Sequence, residues 1–366
     1  MNIYAYTIPM NESFYFDYAI SGLRKNGHTV ITKNMKHPRE LEVEIVRSKK
    51  IDLILFYGFS FMNHIKHQYN GDSFFLPHET MVPYAVHWCD DPRRYEIDLQ
   101  FTKDTDYRFF MCDSLLAGRL KCDFPRSYYL PTFYDPDIQR PMGKVEDFRC
   151  ELAYAGTVLN DSHFKKQRNG LGPGDIAILD QLLDARLPGK YYDYVSPCTS
   201  RSRQDLNRLL QCALMEEKNC LRMDMFHALR ERKMSVFGQG DGTLSEFPNF
   251  YRGRNLDQHS ELPMLYNSAD ISLSIELLPS SVHQRIMECC GCGGFILGED
   301  KADMAQCFDD FVVWKDLDDL RDKVTYYLGN ETERRRISES MHTQALERHT
   351  AQTRMKEMID ICLETI

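Results

Sequence analysis

The feature that most narrows the fold is an alternation of short apolar runs with amphipathic segments. Ile51–Tyr57 (IDLILFY) is an apolar run of strand length, and Val82–Trp88 and Tyr107–Cys112 repeat it, each followed by a polar segment. Strands apolar on both faces belong to parallel sheets covered by helices on each side. Upstream, Asn2–Thr7 and His28–Thr32 read as strands around a helix over Asn11–Asn26 that stops at Gly27, and Arg39–Ser48 as a further helix. Such alternation predicts a right-handed, mostly parallel open sheet.

A break falls in Leu130–Phe148, where Pro131, Pro136, Pro141 and a charged tail suit a linker. Beyond it, Glu151–Ala155 reads as a strand ending at Gly156-Thr157. A helix-rich stretch follows over Asp175–Arg186, Ser202–Glu217 and Arg222–Arg232. Alternation then resumes with Met234–Phe237, Phe250–Arg252, Ile271–Ile275, Gly294–Leu297 and Phe311–Trp314. The tail from Glu331 is a charged helical pattern broken at His349-Thr350. At 366 residues the chain suits two domains of ordinary size. The expectation is two doubly wound, Rossmann-like α/β domains facing a central cleft: residues 1–140, residues 141–345, and a final helix over 346–366 placed to cross back onto the first. Ligands in such sheets bind beyond the carboxyl ends of the strands.

Composition excludes several classes. The formal net charge of −9 argues against holding a nucleic-acid backbone by broad electrostatics, while leaving room for a local basic cleft. No apolar run approaches the roughly 18 residues of a membrane span, and the first residues lack the basic and apolar regions of a secretory signal. The expectation is a cytoplasmic protein with reduced thiols. Among twelve cysteines only Cys289-Cys290-x-Cys292 is dense, and no paired Cys or His spacing completes a zinc site, so no metal is expected. Gly238-Gln239-Gly240-Asp241-Gly242 follows a strand, but its third glycine comes one residue early for a dinucleotide fingerprint. No P-loop pattern occurs.

The most informative segment is His283–Phe295 (HQRIMECCGCGGF), a helix that ends at Gly291. Arg285 and Glu288, three residues apart, are neighbours on one helical face. One reading makes them an exposed ion pair. The other needs a cation for a diphosphate and a carboxylate for a ribose diol. An arginine fork suits the first and a carboxylate accepting two hydroxyls suits the second, with a helix N-terminus adding backbone donors.

Several pieces stand in order through the second half: Tyr154-Ala-Gly-Thr157, Val236-Phe-Gly238, Phe250-Tyr-Arg-Gly253, the run from Glu261 to Ile271, Arg285-x-x-Glu288, Gly291-x-Gly-Gly-Phe295, and His349-Thr350-x-x-x-Arg354. Together with Trp88-Cys-Asp-Asp-Pro92 and Tyr129-Leu-Pro131 they cover about three-quarters of the chain. The sequence thereby resembles group 1 glycosyltransferases of GT-B architecture, and in particular the CgeB-like family named for a spore maturation protein.

That resemblance implies a glycosyltransferase moving a sugar from a nucleotide-sugar donor to an acceptor hydroxyl, without metal or other cofactor. It assigns Arg285 to the diphosphate, Glu288 to the ribose, Gly156 and Thr157 to a phosphate, Gly238 and Gln239 to the nucleobase, and Tyr266 and Asn267 to the diphosphate. His283, one helical turn before Glu288, joins the donor site. Many group 1 enzymes carry a glutamate where this chain has Ser280, which leaves sugar contacts and stereochemical outcome open. In the first domain Asp91 or Asp90 is the candidate base and Arg93 a charge stabiliser. The same Asp90-Asp91-Pro92 run also suits a helix start. The acceptor is open among protein, glycan and modified DNA base. Three other functions fit the plan: a nucleotide-sugar epimerase, a phage-type DNA-modifying glycosyltransferase, and a non-catalytic spore or coat assembly protein. Residues 189–219 match no motif.

Overall fold

The computed structural model describes residues 1–6, 14–32, 39–58, 75–89, 105–158, 161–184, 203–238, 247, 252, 254–276 and 278–364. They form two compact units, Met1–Asp135 with Glu347–Ile366, and Pro136–Leu346. The first unit holds a six-stranded parallel sheet ordered β2-β1-β3-β4-β5-β6. Its strands are β1 (Asn2–Tyr6), β2 (Thr29–Thr32), β3 (Leu53–Tyr57), β4 (Tyr84–Trp88), β5 (Tyr107–Met111) and β6 (Ser127–Tyr129). Every residue of β4 and β5 is buried, as runs without polar alternation require. The helices are α1 (Phe14–Lys25), α2 (Arg39–Ser48), α3 (Leu76–Thr80) and α4 (Ser114–Asp123). The Asp113 carboxylate caps α4 by accepting from the Leu116 N–H at 2.9 Å.

The second unit holds a five-stranded parallel sheet ordered β11-β10-β9-β7-β8. These strands are β7 (Cys150–Ala155), β8 (Met234–Phe237), β9 (Ala269–Leu273), β10 (Ile296–Glu299) and β11 (Val313–Trp314). Its helices are α5 (Asp161–Asn169), α6 (Pro173–Asp184), α7 (Arg203–Ala228), α8 (Glu261–Ser268), α9 (Gln284–Gly291), α10 (Met304–Cys307), α11 (Leu317–Gly329) and α12 (Glu331–Arg348). In both sheets the strand order reverses beside the first strand, between β1 and β3 and between β7 and β9. At such a reversal the connecting helices leave toward opposite faces and open a crevice at the carboxyl ends.

Three details depart from the sequence expectations. The helices expected over Ser202–Glu217 and Arg222–Arg232 are one 26-residue helix, α7, because Lys218-Asn219-Cys220-Leu221 contains no breaker. The proline-rich linker is tied to the second unit from Pro136 onward: Met142 N–H donates to Asn267 Oδ1 at 2.7 Å and Val145 N–H to Ser268 Oγ at 2.9 Å. Of the strand expected over Phe250–Arg252, only Arg252 is described, its N–H donating to the Val236 carbonyl at 2.9 Å.

The chain ends in the first unit. Helix α13 (Ala351–Leu363) packs on α1, and Gly22 is the point of contact, since a Cβ there would collide with the Ala351 carbonyl. Ala351 N–H donates to the Tyr134 carbonyl at 2.8 Å, and Asn26 Nδ2 donates to the Gln352 carbonyl at 2.8 Å.

Candidate functional site

The candidate donor residues gather at the carboxyl end of the second sheet, where β7 and β9 diverge. Gly156 follows the last residue of β7, and its N–H donates to the Phe237 carbonyl at 2.8 Å. Gly238 follows β8 with a φ of +146°, and a Cβ there would overlap the Gly156 carbonyl. Only glycine meets both demands, so the ends of β7 and β8 lie closely against each other. A Cβ on Gly156 would lie 2.8 Å from Arg285 Nη2 and 3.0 Å from Tyr154 Oη. That missing side chain is what lets the Arg285 guanidinium reach the backbone after β7.

Arg285 comes from α9, whose N-cap is His283. Its backbone N–H donates to His283 Nδ1 at 3.0 Å, and its guanidinium carbon lies 5.7 Å from the centre of the Tyr154 ring. Among the described residues no carboxylate lies within ion-pair distance of Arg285, so the exposed-ion-pair reading with Glu288 does not hold. Glu288 is instead 2% exposed, one turn further along α9, and accepts from Gln284 Nε2 at 2.8 Å.

Two further cations, which the sequence reading missed, reach the site from α7. Arg222 is buried, and its Nη1 donates to the Thr157 carbonyl at 2.5 Å. Lys218 stands one helical turn earlier, at the i,i+4 spacing that shares a face. Burial, with the Arg222 and Arg285 guanidiniums nearby, pushes Lys218 down to about 7 against the opposing pull of Glu276 and Glu299. The signal was legible only in a continuous α7; dividing the helix near 218 put the two residues on different elements.

Burial and the charges of Arg285, Lys218 and Arg222 hold His283 well below the usual imidazole range, so its ring is neutral. With Nδ1 accepting from the Arg285 N–H, the ring proton is assigned to Nε2. Nε2 lies 3.2 Å from Arg285 Nη1, so in that tautomer two N–H groups meet there, with no acceptor for them among the described residues. Tyr154 Oη and Arg222 Nε are likewise buried without a partner among the described residues. Each such group costs about 1–3 kcal/mol, which an oxygen-rich anion would offset. The nearby carboxylates are engaged elsewhere: Glu299 accepts from the Glu276 N–H at 2.6 Å and lies 3.7 Å from Lys301, and Glu276 accepts from the Leu278 N–H at 3.0 Å.

The structure thus brings Gly156, Thr157, Gly238, His283 and Arg285 together, with Glu288 behind them on α9. Tyr266 is buried on α8; desolvation, then the Glu288 charge, raises its phenol well above the ordinary value. Asn267 is used otherwise: its amide donates to the Arg140 and Pro263 carbonyls at 3.1 and 2.8 Å while accepting from Met142. Gln239, Asp90, Asp91 and Arg93 lie outside the described residues. Among the described residues no group of three or more His, Cys, Asp or Glu is disposed to hold a metal, and no helix is long and apolar enough to cross a membrane.

Residues 222–360 match the family model described as glycosyl transferase-like. Among solved structures, Anabaena HepE in complex with UDP-glucose is similar over 100% of both chains at 10% identity, with a TM-score of 0.57. The same protein in complex with UDP and glucose gives 9% identity and a TM-score of 0.56, again over 100% of both chains. Sucrose-phosphate synthase from Thermosynechococcus elongatus is similar over 100% of this chain and 99% of its own, at 10% identity and a TM-score of 0.50. At these identities the likeness is one of fold, and the two parallel Rossmann-like sheets match GT-B glycosyltransferase structures. No curated protein matches the chain at a significant level.

Proposed function

We propose that the protein is a glycosyltransferase whose second unit binds the diphosphate of a nucleotide sugar at the carboxyl ends of β7 and β9. The observation that carries this is the meeting of His283 Nε2–H and the Arg285 fork with no acceptor among the described residues, beside the buried Arg222 Nε–H and Tyr154 Oη–H. Donors and cations without an acceptor define a site for phosphate oxygens. Arg285 and His283 would hold one phosphate, with Gly156 and Thr157 presenting backbone beside it. Glu288 would accept from the ribose hydroxyls, and Gly238 would flank the base. Ordered motifs from Tyr154 to Arg354 support membership of the CgeB-like branch.

In the reaction the acceptor oxygen bonds to the anomeric carbon. The bond from that carbon to the phosphate oxygen breaks, and its electron pair leaves with the diphosphate. The proton of the acceptor passes to a base, for which Asp91 or Asp90 is the candidate. Arg285, Arg222 and Lys218 supply the charge that many enzymes take from a metal ion. Turnover is therefore expected to persist in excess chelator, as a radiolabel-transfer assay with and without EDTA would show.

The donor site is tested by thermal shift with UDP-, GDP-, dTDP- and CDP-sugars. HepE was solved with UDP-glucose, which puts UDP-sugars first. One donor is expected to stabilise the wild type and to lose its effect in Arg285→Ala and Glu288→Ala, whose unliganded melting points stay near wild type. Unchanged responses in both variants overturn the site. Donor isomerised without acceptor would assign the same site to an epimerase.

A further inference from the structure

The first unit carries a second chemically distinctive place, sharing no residue with the donor site. At the carboxyl ends of β4 and β5, Cys89 follows Trp88 and Cys112 follows Met111. Trp88 and Met111 are register partners, and the Cys112 N–H donates to the Trp88 carbonyl at 3.1 Å. Continuing that register sets Cys89 beside Cys112 on neighbouring strands, with both side chains on one face. Adjacent strands are about 4.8 Å apart, inside the Cα separation of about 4.4–6.8 Å that a disulfide spans. Both cysteines are reduced; Cys89 is partly exposed and Cys112 buried.

The surroundings favour a thiolate at Cys89. Its Sγ lies 3.8 Å from His87 Nδ1, and that ring is buried and held in place by Tyr15, stacked at 5.6 Å and 11°. Burial alone would raise the Cys89 thiol. Hydrogen bonds from Cys112, His87 and Tyr57, with the charge of His87, outweigh it and bring the thiol well below its ordinary value. Burial raises the Tyr15 phenol well above its ordinary value, and the neighbouring Cys89 and Tyr57 add to that shift. A partly exposed, hydrogen-bonded thiolate beside a second sulfur is the arrangement that reacts with peroxides.

We propose that Cys89 is a peroxide-reactive cysteine and Cys112 its resolving partner. The Cys89 thiolate attacks a peroxide oxygen and breaks the O–O bond, giving a sulfenic acid at Cys89 and hydroxide. The Cys112 sulfur then attacks the Cys89 sulfur, forming the disulfide and releasing the sulfenic oxygen as water. Two thiols are oxidised and one peroxide is reduced to two waters.

The test uses the full chain and hydrogen peroxide at equimolar dose. The product should be about 2 Da lighter, with peptide mapping joining Cys89 to Cys112. In Cys112→Ser the bridge is lost and dimedone labels Cys89; in Cys89→Ser neither product forms. On the unmodified wild type, iodoacetamide at pH 6 should label Cys89 at least about tenfold faster than the exposed Cys122, a comparison that requires no variant to fold. His87→Phe, which keeps an aromatic ring against Tyr15, should remove most of that advantage. A bridge joining another pair, or Cys89 labelled no faster than Cys122, overturns the proposal.

Discussion

Arg285 sits where a guanidinium has three neighbours at once: the Tyr154 face, the backbone after β7 and the His283 edge. A lysine would bring the charge without the planar fork or the stack. Arg285→Lys is therefore expected to weaken donor binding by about tenfold, near 1.4 kcal/mol, with little change in the unliganded melting point; titration calorimetry reads the first and thermal denaturation the second. Lys218 makes a pH prediction. Its ammonium, pushed down to about 7, loses its charge as pH rises through that value, so affinity for an anionic donor should fall above neutrality. Stability of the unliganded protein runs the other way. Between about 7 and the ordinary 10.5, the unfolded chain holds a proton that the folded chain has released, so stability rises with pH across that window. Lys218→Met should flatten both profiles, as donor titrations and denaturant midpoints at several pH values would show.

At the scale of elements, much was legible because burial writes itself into composition. The apolar run at β3, with β4 and β5 apolar except for His87 and Arg108, identified a parallel sheet, and Gly27, with φ at +82°, marked the end of α1. The segment from His283 to Gly291 showed its helix and its Arg-x-x-Glu face directly. What escaped was long-range: α7 was divided in the reading although Lys218-Asn219-Cys220-Leu221 holds neither glycine nor proline. Only the fold shows that this stretch turns toward Thr157. Asn267 escaped for a similar reason, since nothing local announces that Met142 and Arg140 will engage its amide. The α1–α13 contact offers a direct test of packing. Gly22→Val would force a branched side chain into the Ala351 backbone, and a loss of about 1–3 kcal/mol is expected, measured as a lower urea midpoint.

For the molecule as a whole, the two units are not two consecutive stretches of chain. Residues 347–366 return to the first unit after the second is complete, and Met355, Met358 and Ile359 are each at most 2% exposed. Burying three such side chains contributes on the order of 5–9 kcal/mol, comparable with the net stability of an ordinary domain. Deleting residues 347–366 should therefore open β1–β6 to fast amide hydrogen exchange while β7–β11 stay protected. Mass-spectrometric exchange would show both, and equal loss of protection in the two sheets would contradict the division. The same return path makes closure of the first unit a long-range event. Asn26 and Gln352 are 326 positions apart in the chain, so the α1–α13 contact carries a larger loop-closure entropy than any strand pairing within β7–β11, and the first unit depends on an encounter that the second does not need.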